Sequence, residues 1–539
     1  MSDLGTGAAF RPAVPRGGWW LAVAWAVLFT LVAARWQWRN RDIGFHDRHG
    51  WLSAIVAVVA HNYAGHGFSR SVAPEHNYPS SVQPADTYGR WPPLYFMGVG
   101  GAVRLFGESH ATFHLFALGI TLLQIGAVGL LAGRLLGWPG GAVAAVVWAT
   151  SPLMFSDGRV LHLLHLTVAC VMLSLAALVE WSRRQEAGGS GRRWLALGLL
   201  AVALGCSSSW EAALMGPSLW LAAWWAGHRP LRRAAVAATL ASAAVVVFWL
   251  ILFNLHTEAR ADLLATLKMR MNLGGYELPA FNPYRLFQVA AYGHTQGRSF
   301  LRLAGEGLTL DLTTLGWLSV TGYLALPVLV GWRRGGWLPA DQRAVLGCVL
   351  LMPLAWYGIF PRHALWHSYE MLQALPGGGL GIACLVTLWA RCATAPEGLM
   401  ARRLFGWVLG LAAPGALLLG QLGDGIRWRG QLLPKPELIA FGEALDRSLP
   451  AGAIVLVPEV SHVPLYYGRR PMIRGVQRRE DLDQTVEFLR RHGVTEPVFF
   501  AARTADAVRS VTGRPPGPAD GREDGALFVV PVDPPVPRP

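Results

Sequence analysis

The chain has 539 residues, of which 53% are hydrophobic and only 15% are charged. Soluble domains carry about 25% charged residues and lack repeated apolar runs of about 18 residues or more, so this composition excludes an ordinary soluble protein. The formal net charge is +14, but the arginines lie in short segments between apolar runs, where they indicate membrane topology and not nucleic-acid binding. The sequence predicts a polytopic α-helical membrane protein.

About eleven apolar runs are long enough, or nearly long enough, to cross a bilayer. They lie near 19–35, 112–132, 139–156, 160–181, 194–209, 212–226, 234–253, 313–331, 343–360, 371–390 and 403–421. Short arginine-rich segments separate alternate runs, with Arg183, Arg184, Arg192, Arg193, Arg229, Arg232, Arg233, Arg333, Arg334, Arg343, Arg391, Arg402 and Arg403. Positive charge is retained on the cytoplasmic side, and these segments share one side if the helices alternate. This predicts a cytoplasmic N-terminus and two long outer loops, 36–111 and 254–312.

Within the first outer loop, 51–64 and 92–106 are apolar but interrupted, as in helices that lie on the bilayer surface. Beyond residue 423 the hydropathy falls, and amphipathic helices such as "ELIAFGEALDRSL" alternate with short apolar strands such as "AIVLV". We therefore expect a transmembrane domain over 1–423 and a small α/β domain outside the cytoplasm over 424–515. The Pro- and Gly-rich residues 516–539 are predicted to form a flexible tail.

Titratable side chains are concentrated at the predicted outer ends of the apolar runs. The first run is followed by "IGFHDRHGW", in which Asp47 lies between His46 and His49. A carboxylate at the mouth of a helix bundle is costly to bury, and it can accept a proton from an acceptor hydroxyl as a general base. Either histidine could tune this carboxylate or help hold a metal ion. The alternative interpretation is a polar cap on the first membrane span.

A second motif, "GRWPPLYF", places Arg90 and Trp91 directly before a proline pair. Pro92 and Pro93 favour an extended segment followed by the start of a helix. Arg90 then lies at headgroup depth, where its planar guanidinium suits phosphate oxygens. An arginine that merely anchors the interfacial helix is the alternative interpretation.

Further polar clusters lie at the outer ends of later helices. Asp157 and Arg159 end one run in "SPLMFSDGR", and His162 and His165 begin the next on one helix face, where hydrogen-bonded core histidines are also common. The remaining candidates, from "FPRHALWHSYE", "SSSWEA" and the first loop, are Arg362, His363, His367, Tyr369, Glu211 and Glu75. All of these clusters share the outer side, which predicts one outward-facing site at the bilayer surface.

The order of these pieces resembles the GT-C superfamily of membrane glycosyltransferases, and within it the protein O-mannosyltransferase and aminoarabinose-transferase branch. The similarity covers about the first 180 residues, through the acidic residue after the first span, "AHNYAGHG", "PPLYF" followed by "LFG", and "ATSPLMFSDGR"; "RHALWHSYEMLQALP" continues it. The resemblance implies an inverting glycosyltransferase that moves a sugar from a polyprenyl-phosphate-linked donor to a lipid, glycan or protein acceptor. It implies Asp47 as the base and Arg90 as a ligand of the donor phosphate.

The implied location is the bacterial inner membrane, with the active site facing the periplasm or exterior. The implied partners are the donor lipid, an acceptor of the cell envelope and the bilayer itself, without nucleic acid. Relatives often carry a second aspartate just beyond the "SP…R" stretch, where this chain has Leu161, His162, Leu164 and His165. A divalent metal ion therefore stays an open question, and no other cofactor is expected. Two other functions stay open: a transporter or flippase for a lipid-linked sugar, with polar or broken-helix sites near the bilayer midplane, and a non-catalytic glycolipid-binding subunit.

Overall fold

A computed structural model describes residues 18–39, 41, 44–45, 50–66, 77–79, 91–149, 160–255, 338–360, 373–394, 436–515, 517–518 and 527–532. The helices of the first part are α1 (Gly18–Arg39), α2 (Gly50–His66), α3 (Leu94–Phe106), α4 (His110–Leu136), α5 (Trp138–Ala149), α6 (Leu163–Glu186), α7 (Arg192–Ser208), α8 (Met215–Trp225), α9 (Arg229–Asn254), α10 (Ala340–Ile359) and α11 (Leu375–Thr394), with a 3₁₀ helix at Trp210–Leu214. Within these described ranges, α4, α6, α9 and α10 are long and apolar enough to cross a membrane. The predicted runs near 313–331 and 403–421 lie outside the described residues.

Small residues allow the membrane helices to pack closely. A β-carbon added at Gly141 of α5 would lie 2.6 Å from the carbonyl oxygen of Gly129 in α4, so only glycine permits this approach of the two backbones. Without a hydrophobic driving force between helices in lipid, such close van der Waals contact is the main stabilising term. The largest buried apolar cluster follows from it, and joins α4, α5 and α6 to α8, α9 and α10.

Arginine-rich segments meet at one end of the helix bundle. Arg134 and Arg184 each lie 2.9 Å from a carboxylate oxygen of Glu180, and Arg183 lies 2.9 Å from Asp341. These pairs join the last turns of α4 and α6 to the first turn of α10. Because these arginines are partly exposed, each pair contributes roughly 0–1 kcal/mol. Their common location agrees with the helix alternation predicted from the sequence.

The C-terminal α/β unit consists of the described residues from 436 to 532. Its elements are α12 (Pro436–Ser448), β1 (Ile454–Val457), α13 (Val463–Gly468), β2 (Met472–Arg474), α14 (Arg479–Arg491), β3 (Val498–Ala502), α15 (Ala505–Thr512), β4 (Gly517–Pro518) and β5 (Phe528–Pro531). The strand order is β2-β1-β3-β5-β4. β2, β1 and β3 are parallel, whereas β5 pairs antiparallel with both β3 and β4.

Alternate residues of β1 face opposite sides of this sheet, as strand geometry requires. Ile454 and Leu456 join the cluster with α14 and α15. Val455 and Val457 join the other cluster, with α12 and α13, which continues into the first part of the chain. The predicted helix and strand at "ELIAFGEALDRSL" and "AIVLV" correspond to α12 and β1. Phe528–Pro531 belongs to the sheet and differs from the predicted flexible tail, because β3 offers it an open edge.

The α/β unit packs against the end of the bundle opposite to the arginine-rich end. Here α2 lies between α3 and α13, and every residue from Ser53 to Ala60 is buried. The sequence correctly predicts helices at α2 and α3. Its expectation that α2 lies on the bilayer surface is not met, because this helix is apolar on all sides and the α/β unit covers it.

Candidate functional site

Residues that adjoin the predicted site residues pack in one place. We define the junction cluster as the buried residues where α2, α3, the start of α4 and the α/β unit meet. It contains Phe45, Trp91, Leu161 and Trp356. Phe45 precedes Asp47 by two residues, Trp91 follows Arg90, Leu161 follows Arg159 by two residues, and Trp356 precedes Arg362 by six. Segments that are remote in sequence therefore converge.

Most of the predicted site residues themselves lie outside the described residues. These are Asp47, Arg90, Asp157, Arg159, Arg362, His363, His367, Tyr369, His46, His49 and Glu75. Their roles stay predictions, and the geometry below concerns the residues around them. Trp91, His162, His165 and Glu211 are described.

Trp91 lies in the wall of the junction cluster with 7% of its surface exposed. The Pro92–Pro93 pair follows it, and α3 begins at Leu94, with the amide of Met97 donating to the carbonyl of Pro93 at 2.9 Å. The proline pair thus starts a helix, as the sequence predicts. Trp91 is fixed by packing before this helix, and a contact with substrate stays a prediction.

The two histidines near the start of α6 have local structural roles. His162 is buried, and its Nδ1 accepts a hydrogen bond from the Leu164 amide at 3.2 Å, which caps the helix. His165 is also buried, and its Nδ1 lies 2.9 Å from Oε1 of Gln124 in α4. The predicted shared helix face is not observed, because His162 precedes the first helical residue. In the described parts of the chain, no group of three His, Cys, Asp or Glu side chains is arranged to hold a metal ion.

Glu211 is fully buried in the 3₁₀ helix between α7 and α8. Its neighbour Trp210 packs against the junction cluster and lies with its ring centroid 6.2 Å from that of Phe253 in α9. The structure therefore locates Glu211 next to the same cluster, as the predicted common side requires.

The α/β unit contributes residues to this region that the sequence reasoning missed. The side chain of Asn77 donates to the carbonyl of Met472 at 2.8 Å and accepts from its amide at 2.9 Å. The Tyr78 hydroxyl donates to the carbonyl of Tyr466 at 3.2 Å, and the hydroxyl of Tyr467 contacts His110 and Phe45. The adjacent tyrosines in "VPLYYG" are the one sequence signal for this surface.

An ion pair lies at the edge of the same interface. Nδ1 of His61 in α2 lies 2.7 Å from a carboxylate oxygen of Glu108, in the turn between α3 and α4. Burial by itself would raise the pKa of Glu108, but the hydrogen bond and charge of His61, with the charge of Arg469, outweigh it. The pKa of Glu108 is therefore below its ordinary value. This carboxylate links α2, the start of α4 and the α/β unit.

Known proteins show two kinds of similarity to this chain. Residues 90–256 match the sequence profile of the family described as "Dolichyl-phosphate-mannose-protein mannosyltransferase". This match includes the proline-pair motif and the "SP…R" stretch. No protein of curated function matches the sequence.

Solved structures match over nearly the whole chain. ArnT from Cupriavidus metallidurans in the apo state is 14% identical, with a TM-score of 0.50, and the match covers 95% of this chain and 98% of that one. The Archaeoglobus fulgidus oligosaccharyltransferase in the apo form is 11% identical, with a TM-score of 0.57 and coverage of 90% and 70%. The archaeal oligosaccharyltransferase AglB from the same organism, in complex with an inhibitory peptide and a dolichol-phosphate, is 12% identical, with a TM-score of 0.55 and coverage of 92% and 72%.

These similarities confirm the predicted resemblance to GT-C membrane glycosyltransferases. The chain has a helical membrane fold of the GT-C type and is a multi-pass membrane protein.

Proposed function

We propose that this protein is an inverting glycosyltransferase of the bacterial inner membrane, which transfers a sugar from a polyprenyl-phosphate-linked donor to a lipid, glycan or protein acceptor. The junction cluster is the observation that carries the proposal, because it gathers the neighbours of Asp47, Arg90, Arg159 and Arg362. The matching family and the GT-C fold support this chemistry. The dolichol-phosphate in the AglB structure supports a polyprenyl-phosphate donor.

In the proposed reaction, Asp47 removes the proton from the acceptor hydroxyl while its oxygen attacks the anomeric carbon. The bond between that carbon and the phosphate oxygen breaks on the opposite face, and polyprenyl phosphate leaves as an anion. Glycosidases need a carboxylic acid and a base, but a phosphate is a good leaving group without protonation, so that one base suffices. Guanidinium groups of Arg90 and Arg362 would hold the leaving phosphate through charge-assisted hydrogen bonds.

The proposed orientation places the arginine-rich end in the cytoplasm and the α/β unit outside. The ion pairs of Arg134, Arg183 and Arg184 support it, because they lie at the end opposite to the junction cluster and positive charge is retained inside. A phosphatase reporter fused near Gly430 should be active, since this enzyme folds only outside the cytoplasm. An inactive phosphatase together with an active cytoplasmic reporter would refute the orientation.

Catalysis is tested with the full-length protein in lipid nanodiscs and a radiolabelled polyprenyl-phosphate-linked sugar. We expect product from the wild type, and none from Asp47→Asn, because the amide cannot accept the proton. Donor binding should be retained, since the substitution changes no group assigned to the phosphate. Near-normal turnover by Asp47→Asn would exclude this residue from the mechanism, and absence of transfer by the wild type with all acceptor classes would refute the proposed function.

The phosphate contact is tested by titrating wild type, Arg90→Lys and Arg90→Ala with the same donor. A charge-assisted hydrogen bond contributes about 1.5–3 kcal/mol, so Arg90→Ala should weaken donor binding by about ten- to a hundredfold. Lys should restore only part of the affinity, because an ammonium group cannot make the forked contact. An arginine that only anchors α3 would give equal donor affinities for all three proteins.

A further inference from the structure

The two ends of the segment that carries Asp47 touch each other. A β-carbon added at Gly50 would lie 2.4 Å from the carbonyl oxygen of Phe45 and 2.5 Å from its carbonyl carbon. Residues 46–49 therefore connect two positions whose backbones are in contact. Whatever fixes Phe45 in place also fixes one end of this short connection.

Phe45 is fixed from the α/β unit by a hydrogen bond. Its backbone N–H donates to the hydroxyl oxygen of Tyr467 at 3.1 Å, and the same oxygen lies 3.1 Å from Nε2 of His110 at the start of α4. Burial raises the pKa of Tyr467 to about 12, so the group is a hydroxyl at neutral pH. Since its oxygen accepts from Phe45, its proton is directed to His110.

Aromatic packing surrounds this hydrogen bond. The Phe45 ring, 2% exposed, lies edge-on to His110 and Tyr466 at centroid distances of 4.9 and 5.0 Å, and 5.7 Å from Phe113. The bundle and the α/β unit thus contribute opposite walls of one pocket around Phe45. The α/β unit also reaches the other end of the connection, where the rings of Trp51 and His462 lie 6.2 Å apart.

We propose that Tyr467 is a positioning residue for transfer: from the C-terminal α/β unit it holds the Phe45 backbone, and thereby sets the location of Asp47. This inference rests on the proposed function. A general base must lie within hydrogen-bond reach of the proton that it removes, and a displacement of about 1 Å costs about a hundredfold in rate. Docking of the α/β unit is therefore part of assembling the active site.

Tyr467→Phe tests the inference, with Tyr78→Phe as the matched control. Both substitutions remove one hydroxyl from the same interface and keep the ring. The Tyr78 hydroxyl, however, bonds the carbonyl of Tyr466 and not Phe45. In the full-length protein, hydrogen exchange of the Phe45 amide should accelerate about tenfold or more in Tyr467→Phe and stay at the wild-type rate in Tyr78→Phe. Equal exchange in both variants would overturn the inference, whether or not the protein is active.

The transfer assay supplies the second readout. We expect Tyr467→Phe to lower kcat by about ten- to a hundredfold with an unchanged KM for the donor, whereas Tyr78→Phe keeps the wild-type kcat. Faster Phe45 exchange without a fall in kcat would overturn the positioning role and leave the proposed function intact. No transfer by the wild type would overturn the proposed function and this inference with it.

Discussion

Replacing Asn77 should release the edge of the sheet in the α/β unit. Asn77 lies in the first outer loop, and its side chain satisfies both backbone groups of Met472 in the edge strand β2, at 2.8 and 2.9 Å. Both residues are buried, so Asn77→Ala leaves two polar backbone groups without these bonds. Each unsatisfied group costs about 1–3 kcal/mol, which gives a loss of about 2–5 kcal/mol in docking free energy. That is a large part of the roughly 5–15 kcal/mol that stabilises a typical domain.

Hydrogen exchange of β2 amides in the full-length protein measures this loss as the free energy of local opening. Asn77→Asp is the informative control, because aspartate has nearly the same shape but cannot donate to the Met472 carbonyl. If Asn77 only filled space, Asp would be tolerated and Ala would cost little. Our reasoning predicts that both variants open β2, and an opening free energy within about 0.5 kcal/mol of wild type for Asn77→Asp would refute it.

Two further predictions concern the same junction. Gly50→Ala places a carbon 2.4 Å from the Phe45 carbonyl oxygen and should lower both transfer and melting temperature, whereas Gly65→Ala in the same helix meets open space and should be neutral or stabilising; equal effects would contradict the close contact. The pKa of Glu108 is depressed by His61, so its contribution to docking is complete above the ordinary carboxyl pKa and is lost as pH falls through the lower folded value. Protease susceptibility of the α/β unit should therefore rise on acidification, and Glu108→Gln should raise it at neutral pH and flatten this dependence; an unchanged acid profile in that variant would exclude the ion pair.

Hydrophobic patterning in the sequence correctly predicted the class of the protein and many of its elements. The apolar runs near 112–132 and 234–253 correspond to α4 and α9, and the interrupted segments correspond to α2 and α3. These features depend on short-range periodicity and on the low polarity that a bilayer demands, so each can be recognised within a window of about 20 residues. The order of motifs also predicted the GT-C resemblance.

Candidate site residues were predictable as residue types at helix ends, but their individual roles were not. His162 and His165 have the spacing of a pair on one helix face, yet one caps α6 and the other bonds Gln124, 41 residues away. Neither role follows from spacing, because a helix boundary and a partner on another helix decide it. The convergence of Phe45, Trp91 and Trp356 likewise requires the packed helices.

Only the tertiary structure decided how the α/β unit completes this region. Tyr467 reaches Phe45 across 422 residues of sequence, and Asn77 reaches Met472 across 395. A side chain that bonds a backbone group at such separation leaves no periodic trace in either segment, because its partner is chosen by shape and hydrogen-bond satisfaction at a folded surface. Strand β5 is a similar case: its Pro- and Gly-rich surroundings resemble a tail, and the open edge of β3 draws it into the sheet. The sequence by itself determined which segments are helices, strands and membrane spans, and packing between distant segments determined what each of them holds in place.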